Sequence, residues 1–256
     1  MKRAKVELAP REAFKKTFQG LSQKNQSWKV FSDFCEMSAI SLSNAIFVDQ
    51  EREDRYLSII KQYDPDEQKQ FSELLGSVVM GLESMDCDFL GEMFMEMELS
   101  NHWKGQFFTP IHLCRAMGQT MVDDGLKETI EKKGFVTVAE PACGAGATII
   151  GLLDAMRDAE INYQQSVHVT AVDVDPTAAH MCFIQLALLH VPAMVYVGNT
   201  IFLEMRSVWK TPAHYMGLWD FKLKMANGLE NDAEVFEKVS EAAKTAPTQE
   251  KQLTLL

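Results

Sequence analysis

From about Pro10 to Ser100 the apolar residues recur at three- and four-residue steps, as in Trp28, Phe31, Phe34, Cys35, Met37 and Ile40, and this spacing predicts a helical region. Asp64-Pro65-Asp66-Glu67 reads as a turn and helix start, and Phe71, Leu74, Leu75, Val78, Val79 and Leu82 continue as one apolar stripe. The segment Met85 to Met97, rich in methionine and acid, reads as core at the same spacing. At Asn101 the period breaks, and after Pro110 a new helix is expected from Ile111 to about Gly125. Two short β-branched runs follow, Phe135 to Ala139 and Val167 to Val172, with a helix from Ala147 to Arg157 between them. Strand, glycine turn, helix, strand is a βαβ unit. Asp175-Pro176 starts another helix that runs to about Leu189, and Ala193 to Val197 reads as a third strand. The pattern divides the chain into a helical region (1–100), an α/β core (101–229) and a charged helix with a tail (230–256).

The 256 residues suffice to bury a sizeable core, and 46% hydrophobic with 24% charged residues is the balance of an ordinary globular chain. No apolar run approaches the roughly 18 to 20 residues of a membrane span, and the charged start lacks a signal-peptide core, so a cytoplasmic protein is expected. Five cysteines (Cys35, Cys87, Cys114, Cys143, Cys182) stand singly, which indicates neither a zinc site nor a disulfide framework, and no metal site is expected. Acidic residues outnumber basic ones 36 to 25, a net charge of -11 that repels a phosphate backbone. DNA, if bound, needs a local basic patch or a partner. The basic cluster Lys2, Arg3, Lys5, Arg11, Lys15 and Lys16 reads as a solvated helix face in preference to a DNA arm.

Chemistry is carried by two turns. Val138-Ala139-Glu140-Pro141-Ala142-Cys143-Gly144-Ala145-Gly146-Ala147 leaves a strand and enters a helix, with small residues that let the backbone approach a ligand at the strand's carboxyl end. Val169-Thr170-Ala171-Val172-Asp173 ends the next strand in an acid placed to accept hydrogen bonds from ribose hydroxyls.

Here the chain resembles a known family. Glu140-Pro141-Ala142-Cys143-Gly144-Ala145-Gly146 is similar to the cofactor motif of the adenine-N6 DNA methyltransferases, and Gly105-Gln106-Phe107-Phe108-Thr109-Pro110 to the segment that precedes it in the methylation subunits of type I restriction-modification systems. Asp88-Phe89-Leu90-Gly91, Leu188-Leu189-His190-Val191 and Gly198-Asn199-Thr200 fit the same subunits. The resemblance covers roughly residues 85 to 205. It implies an α/β, truncated Rossmann-like, S-adenosylmethionine-dependent methyltransferase fold behind the N-terminal helical region. It also implies S-adenosylmethionine as cofactor, with Thr109 and Pro110 over its methionine end, Glu140, Ala142, Gly144 and Gly146 at its amino-acid part, Asp173 at its ribose and Asn199 at its adenine. Read without the resemblance, Gly144 and Gly146 serve a tight turn and Thr109 a helix N-cap.

The pattern of the family is incomplete. Its Asn/Asp-Pro-Pro-Phe/Tyr segment, which holds and stacks the target adenine, is absent from this sequence, and the catalytic residues stay unknown. Leu218-Trp219-Asp220-Phe221 resembles the aromatic-Asp strand that leads into that segment, and Asn227 falls near the expected Asn, yet neither proline nor the aromatic follows. At most one further strand fits after Thr200. That leaves Phe135–Ala139 near an exposed sheet edge, to be covered by the N-terminal helices or by a second subunit. The resulting expectation is a cofactor-binding protein without its own acceptor site. Its partners would be a restriction-modification or methyltransferase subunit, a second copy of itself, or DNA. An active DNA adenine N6-methyltransferase with an unorthodox or partner-completed acceptor site is the alternative.

Overall fold

The structure, a computed structural model, describes residues 2–83, 88–99 and 108–226. Five helices come first: α1 (Lys2–Ser22), α2 (Ser27–Asn44), α3 (Gln50–Ile60), α4 (Pro65–Leu82) and α5 (Phe89–Glu96). The start of α4 is set as the sequence predicts. Asp64 accepts from the backbone N–H groups of Asp66 and Glu67, the Glu67 side chain returns to the Asp64 N–H, and Pro65 occupies the first turn. Phe14, Phe18, Phe31, Phe34, Phe89 and Phe94 meet at ring-centroid distances of 5.6 to 6.3 Å and form the centre of this region. Arg11 and Lys15 of the basic N-terminal cluster are paired to Glu92 and Glu96 on α5, so these two charges dock a helix.

The expected helix from Ile111 to Gly125 is two helices. α6 (Ile111–Met121) ends at Val122, and Asp123 caps α7 (Asp124–Lys133) by accepting from the Leu126 N–H. Then come β1 (Val136–Glu140), α8 (Ala147–Asp158), a single turn α9 (Tyr163–Ser166), β2 (Val167–Asp173), α10 (Pro176–Leu188) and β3 (Ala193–Asn199). One further strand, β4 (Glu204–Lys210), turns back antiparallel to β3. The sheet order is β1-β2-β3-β4, with the first three strands parallel. The last described elements are α11 (Pro212–Met216) and α12 (Trp219–Ala226).

Two right-handed crossovers made in the same direction put α8 and α10 on one face of the sheet. On that face Val169, Ala171, Ala193, Val195 and Trp209 enter a hydrophobic cluster that continues into the N-terminal helices. α10 is buried from Thr177 to Ala187, because the sheet lies on one side of it and α2 on the other. It therefore shows no amphipathic stripe. The N-terminal helices thus cover α10 and the β4 side of the sheet, where Arg52 of α3 donates to the Val208 carbonyl (2.7 Å), while β1 packs with β2 and α7.

The segment that resembles the family's aromatic-Asp strand is helix α12 from Trp219 onward. Asp220 accepts from Lys210 at 2.7 and 2.9 Å, and Trp219 packs edge-on to Phe135, 5.0 Å between centroids. Lys210 pairs with Met194 at the start of β3, so this segment lies at the amino end of the parallel strands. Asn227 and the charged stretch 230–256 lie outside the described residues. Among the described residues, no helix is long and apolar enough to cross a membrane.

Candidate functional site

The site is built where β1 and β2 end. Cys143 N–H donates to the Val172 carbonyl (2.8 Å) and Gly146 N–H to the Cys143 carbonyl (2.8 Å), which stitches the turn after β1 to the end of β2. Gly144 and Gly146 hold φ of +53° and +103°, left-handed values that penalise any side chain. A Cβ on Gly144 would also stand 2.9 Å from the Phe108 ring, so that aromatic lies directly over the turn.

Glu140 pairs with Ala171 in the β1–β2 register, and Asp173 is two residues beyond Ala171, so the period of two puts both carboxylates on the same face. They line one cleft of about 200 Å³ together with Thr109, Ala142 and Gly144. Glu140 is held from two sides: Oε2 accepts from the Thr148 hydroxyl (2.7 Å) and Oε1 from the Ala142 N–H (3.2 Å). Asp173 is 8% exposed; Oδ2 accepts from the Gly144 N–H (2.8 Å) and Oδ1 from the Asp175 N–H (2.9 Å). Burial pushes the Asp173 carboxyl above the usual carboxylate range, and these N–H groups oppose the rise. Each oxygen keeps lone-pair capacity for a ligand hydroxyl. The amino end of α8 lines the same cleft through Ala147 and Thr148, and its first N–H groups have no side-chain cap and present partial positive charge.

Three of the residues expected at the site do not line the cleft. Pro110 is the N-cap of α6, a position the sequence reading had offered to Thr109. Gly146 faces Cys182, whose sulfur would be 3.2 Å from an added Cβ. Asn199 turns into its own loop, where Oδ1 accepts from Ile201 N–H (3.0 Å) and Phe202 N–H (3.2 Å). That loop nonetheless touches the site, since the Thr200 hydroxyl donates to the Pro141 carbonyl (2.7 Å).

Sequence reasoning missed Phe108, Cys143 and Thr148 on the cleft wall. Phe108 packs on Phe94 at 5.3 Å and so ties the cleft to the helical region. Cys143 is buried, and its hydrogen bond with Cys182 together with that burial holds the thiol well above its ordinary value. Gln185 was missed as well: buried in α10, it donates to the Ala145 carbonyl (2.8 Å) and to Asp88 (2.7 Å) and accepts from Leu90 N–H (3.1 Å). Its signal was the lone amide of a mostly apolar helix. α6 is brought to the cleft by glycines: a Cβ on Gly118 would be 2.5 Å from the Gly151 carbonyl oxygen, and one on Gly151 2.5 Å from the Cys114 backbone.

No curated protein matches the chain in sequence. Among solved structures, it is similar to a class I S-adenosylmethionine-dependent methyltransferase from Listeria monocytogenes at 18% identity and a TM-score of 0.33. The similarity covers 67% of this chain and 53% of the other, so the chain spans about half of that protein's length. The family model for N-6 DNA methylase matches residues 87–254, which is more than half of the sequence and includes both turns of the cleft. By that match the chain belongs to the N-6 DNA methylase family.

Proposed function

We propose that the chain binds S-adenosylmethionine, the cofactor its family membership implies, in the cleft between the β1 and β2 turns, and that it acts without a complete acceptor site of its own. The observation that carries this reading is the convergence of Glu140 and Asp173 on one cleft that the amino end of α8 also lines. An amino-acid zwitterion joined to a nucleoside matches that donor set. Its carboxylate goes to the α8 N–H groups, its ammonium to Glu140, and its ribose hydroxyls to Asp173. Phe108 and Thr109 close the methionine end, Ala142 and Gly144 admit it by their small size, and Pro110, Gly146 and Asn199 support the walls, the last at the adenine end. When bound, the cofactor supplies a methyl group activated by a sulfonium, whose positive charge suits two carboxylates.

An N6 acceptor must be unstacked, held by its exocyclic amine and stacked on a side chain. The sequence carries no Asn/Asp-Pro-Pro-aromatic segment, and the nearest described substitute, Trp219-Asp220-Phe221, sits at the opposite end of the parallel strands with Asp220 bound to Lys210. A cytoplasmic role through a restriction-modification or anti-restriction partner follows as the preferred reading. Family membership favours a second: an active DNA adenine N6-methyltransferase whose acceptor site is unorthodox or completed by a partner chain.

Titration with S-adenosylmethionine by calorimetry, followed by incubation with radiolabelled cofactor and unmethylated DNA, separates the first reading from an unorthodox acceptor site within the chain itself. Binding without transfer is expected. Transfer by the isolated chain sinks the first reading, and the absence of any binding sinks both.

A further inference from the structure

The two edges of the sheet are finished differently. At β4 the Arg52 guanidinium donates to the Val208 carbonyl (2.7 Å) and lies 3.9 Å over the Trp209 ring, and the strand itself carries Glu204, Arg206 and Lys210. Charged side chains and a covering group are what keep a sheet edge from pairing. β1 has neither. From Val136 to Ala139 it is uncharged, it contains no proline, and its register with β2 runs without a bulge. Among the described residues, no hydrogen bond outside the β1–β2 ladder reaches residues 136–139. Thr137 and Ala139 are exposed on the face away from α8 and α10. The N-terminal helices, which the sequence offered as a cover, pack on the other side of the sheet.

We infer that β1 pairs with β1 of a second copy of this chain, antiparallel about a two-fold axis near Val138, so that the two sheets become one. The strand is complementary to itself in that arrangement. Thr137 meets Ala139 of the partner subunit, two small uncharged side chains, and Val138 meets its own copy. Charge selects the direction. The chain enters β1 from Lys132 and Lys133, both exposed and the first of them paired to Glu128 on α7, and leaves it at Glu140 beside Asp173. An antiparallel pair sets the lysines of each copy against the acidic end of the other, whereas a parallel pair would set like charges together. This inference rests on the edge alone and stands whether or not the cleft binds S-adenosylmethionine.

Sedimentation velocity of the full chain tests it. The expected species at tens of micromolar has about twice the 28.9 kDa chain mass. Thr137→Lys with Ala139→Lys places charge on the exposed face of the edge and is expected to give a folded monomer, with folding checked by circular dichroism. Should that double variant fail to fold, Lys133→Glu, on exposed α7, decides: it is expected to raise the dimer dissociation constant by roughly tenfold. A monomeric wild-type chain overturns the inference, and that result is also the one expected if another protein or the chain's remaining residues cover β1. A dimer that survives the folded lysine variant, or one indifferent to Lys133→Glu when the lysine variant does not fold, overturns it equally.

Discussion

At the scale of single residues the cleft depends on side chains that do two things at once. Asp173 pins the β1 turn through Gly144 N–H and shapes its own loop through Asp175 N–H, while keeping lone pairs toward the cleft. Asp173→Ala is expected to weaken S-adenosylmethionine binding by roughly 1.5 to 3 kcal/mol, the worth of a hydrogen bond to a charged group. Calorimetry reads the affinity, and an unchanged value removes Asp173 from the site. Thr148→Val, close in shape, removes only the hydroxyl that holds Glu140. Its expected cost in affinity is smaller, about 0.5 to 1.5 kcal/mol, because Glu140 keeps its bond from the Ala142 N–H and its place at the end of β1. A loss from Thr148→Val as large as that from Asp173→Ala would mean that Thr148 touches the ligand itself. Glu140 and Asp173 were legible in the sequence because each ends a β-branched run at a turn. Phe108 and Thr148 were not, because their roles come from standing over Gly144 and beside Glu140, relations that only the folded turn creates.

Between elements, the contact that sets the cleft's outer wall is the crossing of α6 and α8, where backbone meets backbone at Gly118 and Gly151. Gly151→Ala is expected to destabilise the chain by about 1 to 3 kcal/mol, because the neighbour that must yield is backbone. It should also weaken cofactor binding by displacing Thr109. Gly76→Ala in α4 is the control: nothing lies within 4 Å of the added Cβ, and an exposed helix interior gains about 0.4 to 1 kcal/mol from alanine. Urea unfolding of both variants checks the pair, and equal shifts would show that the crossing has slack. The same level explains what the sequence concealed. The three parallel strands and the Asp64-Pro65 helix start follow from local grammar. β4 does not, since Glu204-Met205-Arg206-Ser207-Val208-Trp209-Lys210 has the mixed charge of an edge and is a strand only because β3 accepts it. Trp219-Asp220-Phe221 could serve strand or helix by pattern; the bonds from Lys210 to Asp220 and the packing of Trp219 on Phe135 decide for helix.

For the whole molecule, stability is tied to pH by two histidines enclosed as neutral groups. His168, 1% exposed, shares a 2.9 Å hydrogen bond with His214, and burial first, then the His214 charge, lowers its pKa to about 3. His180 sits against the Trp209 ring at 4.8 Å, and burial lowers its pKa to about 4. A histidine depressed in the folded state is neutral there while the unfolded chain takes up a proton near pH 6.5. Its contribution is therefore complete above that value and is lost as pH falls from 6.5 toward the folded value. One unit below 6.5 the loss is about 1.4 kcal/mol for each, so together about 3 kcal/mol at pH 5.5, a large share of a typical folding free energy. Asp88 and Asp173 work in the other direction. Burial raises both, so their contribution is favourable in acid and is lost as pH rises through the folded values, which flattens the curve below the histidine window. Urea unfolding at pH 7.5 and 5.5 should show this loss in the wild type and about half of it in His180→Leu, which keeps an apolar group against Trp209. A wild-type chain equally stable at both pH values would mean that these imidazoles reach solvent, and that the core between α10, the sheet and α2 is looser than its packing implies.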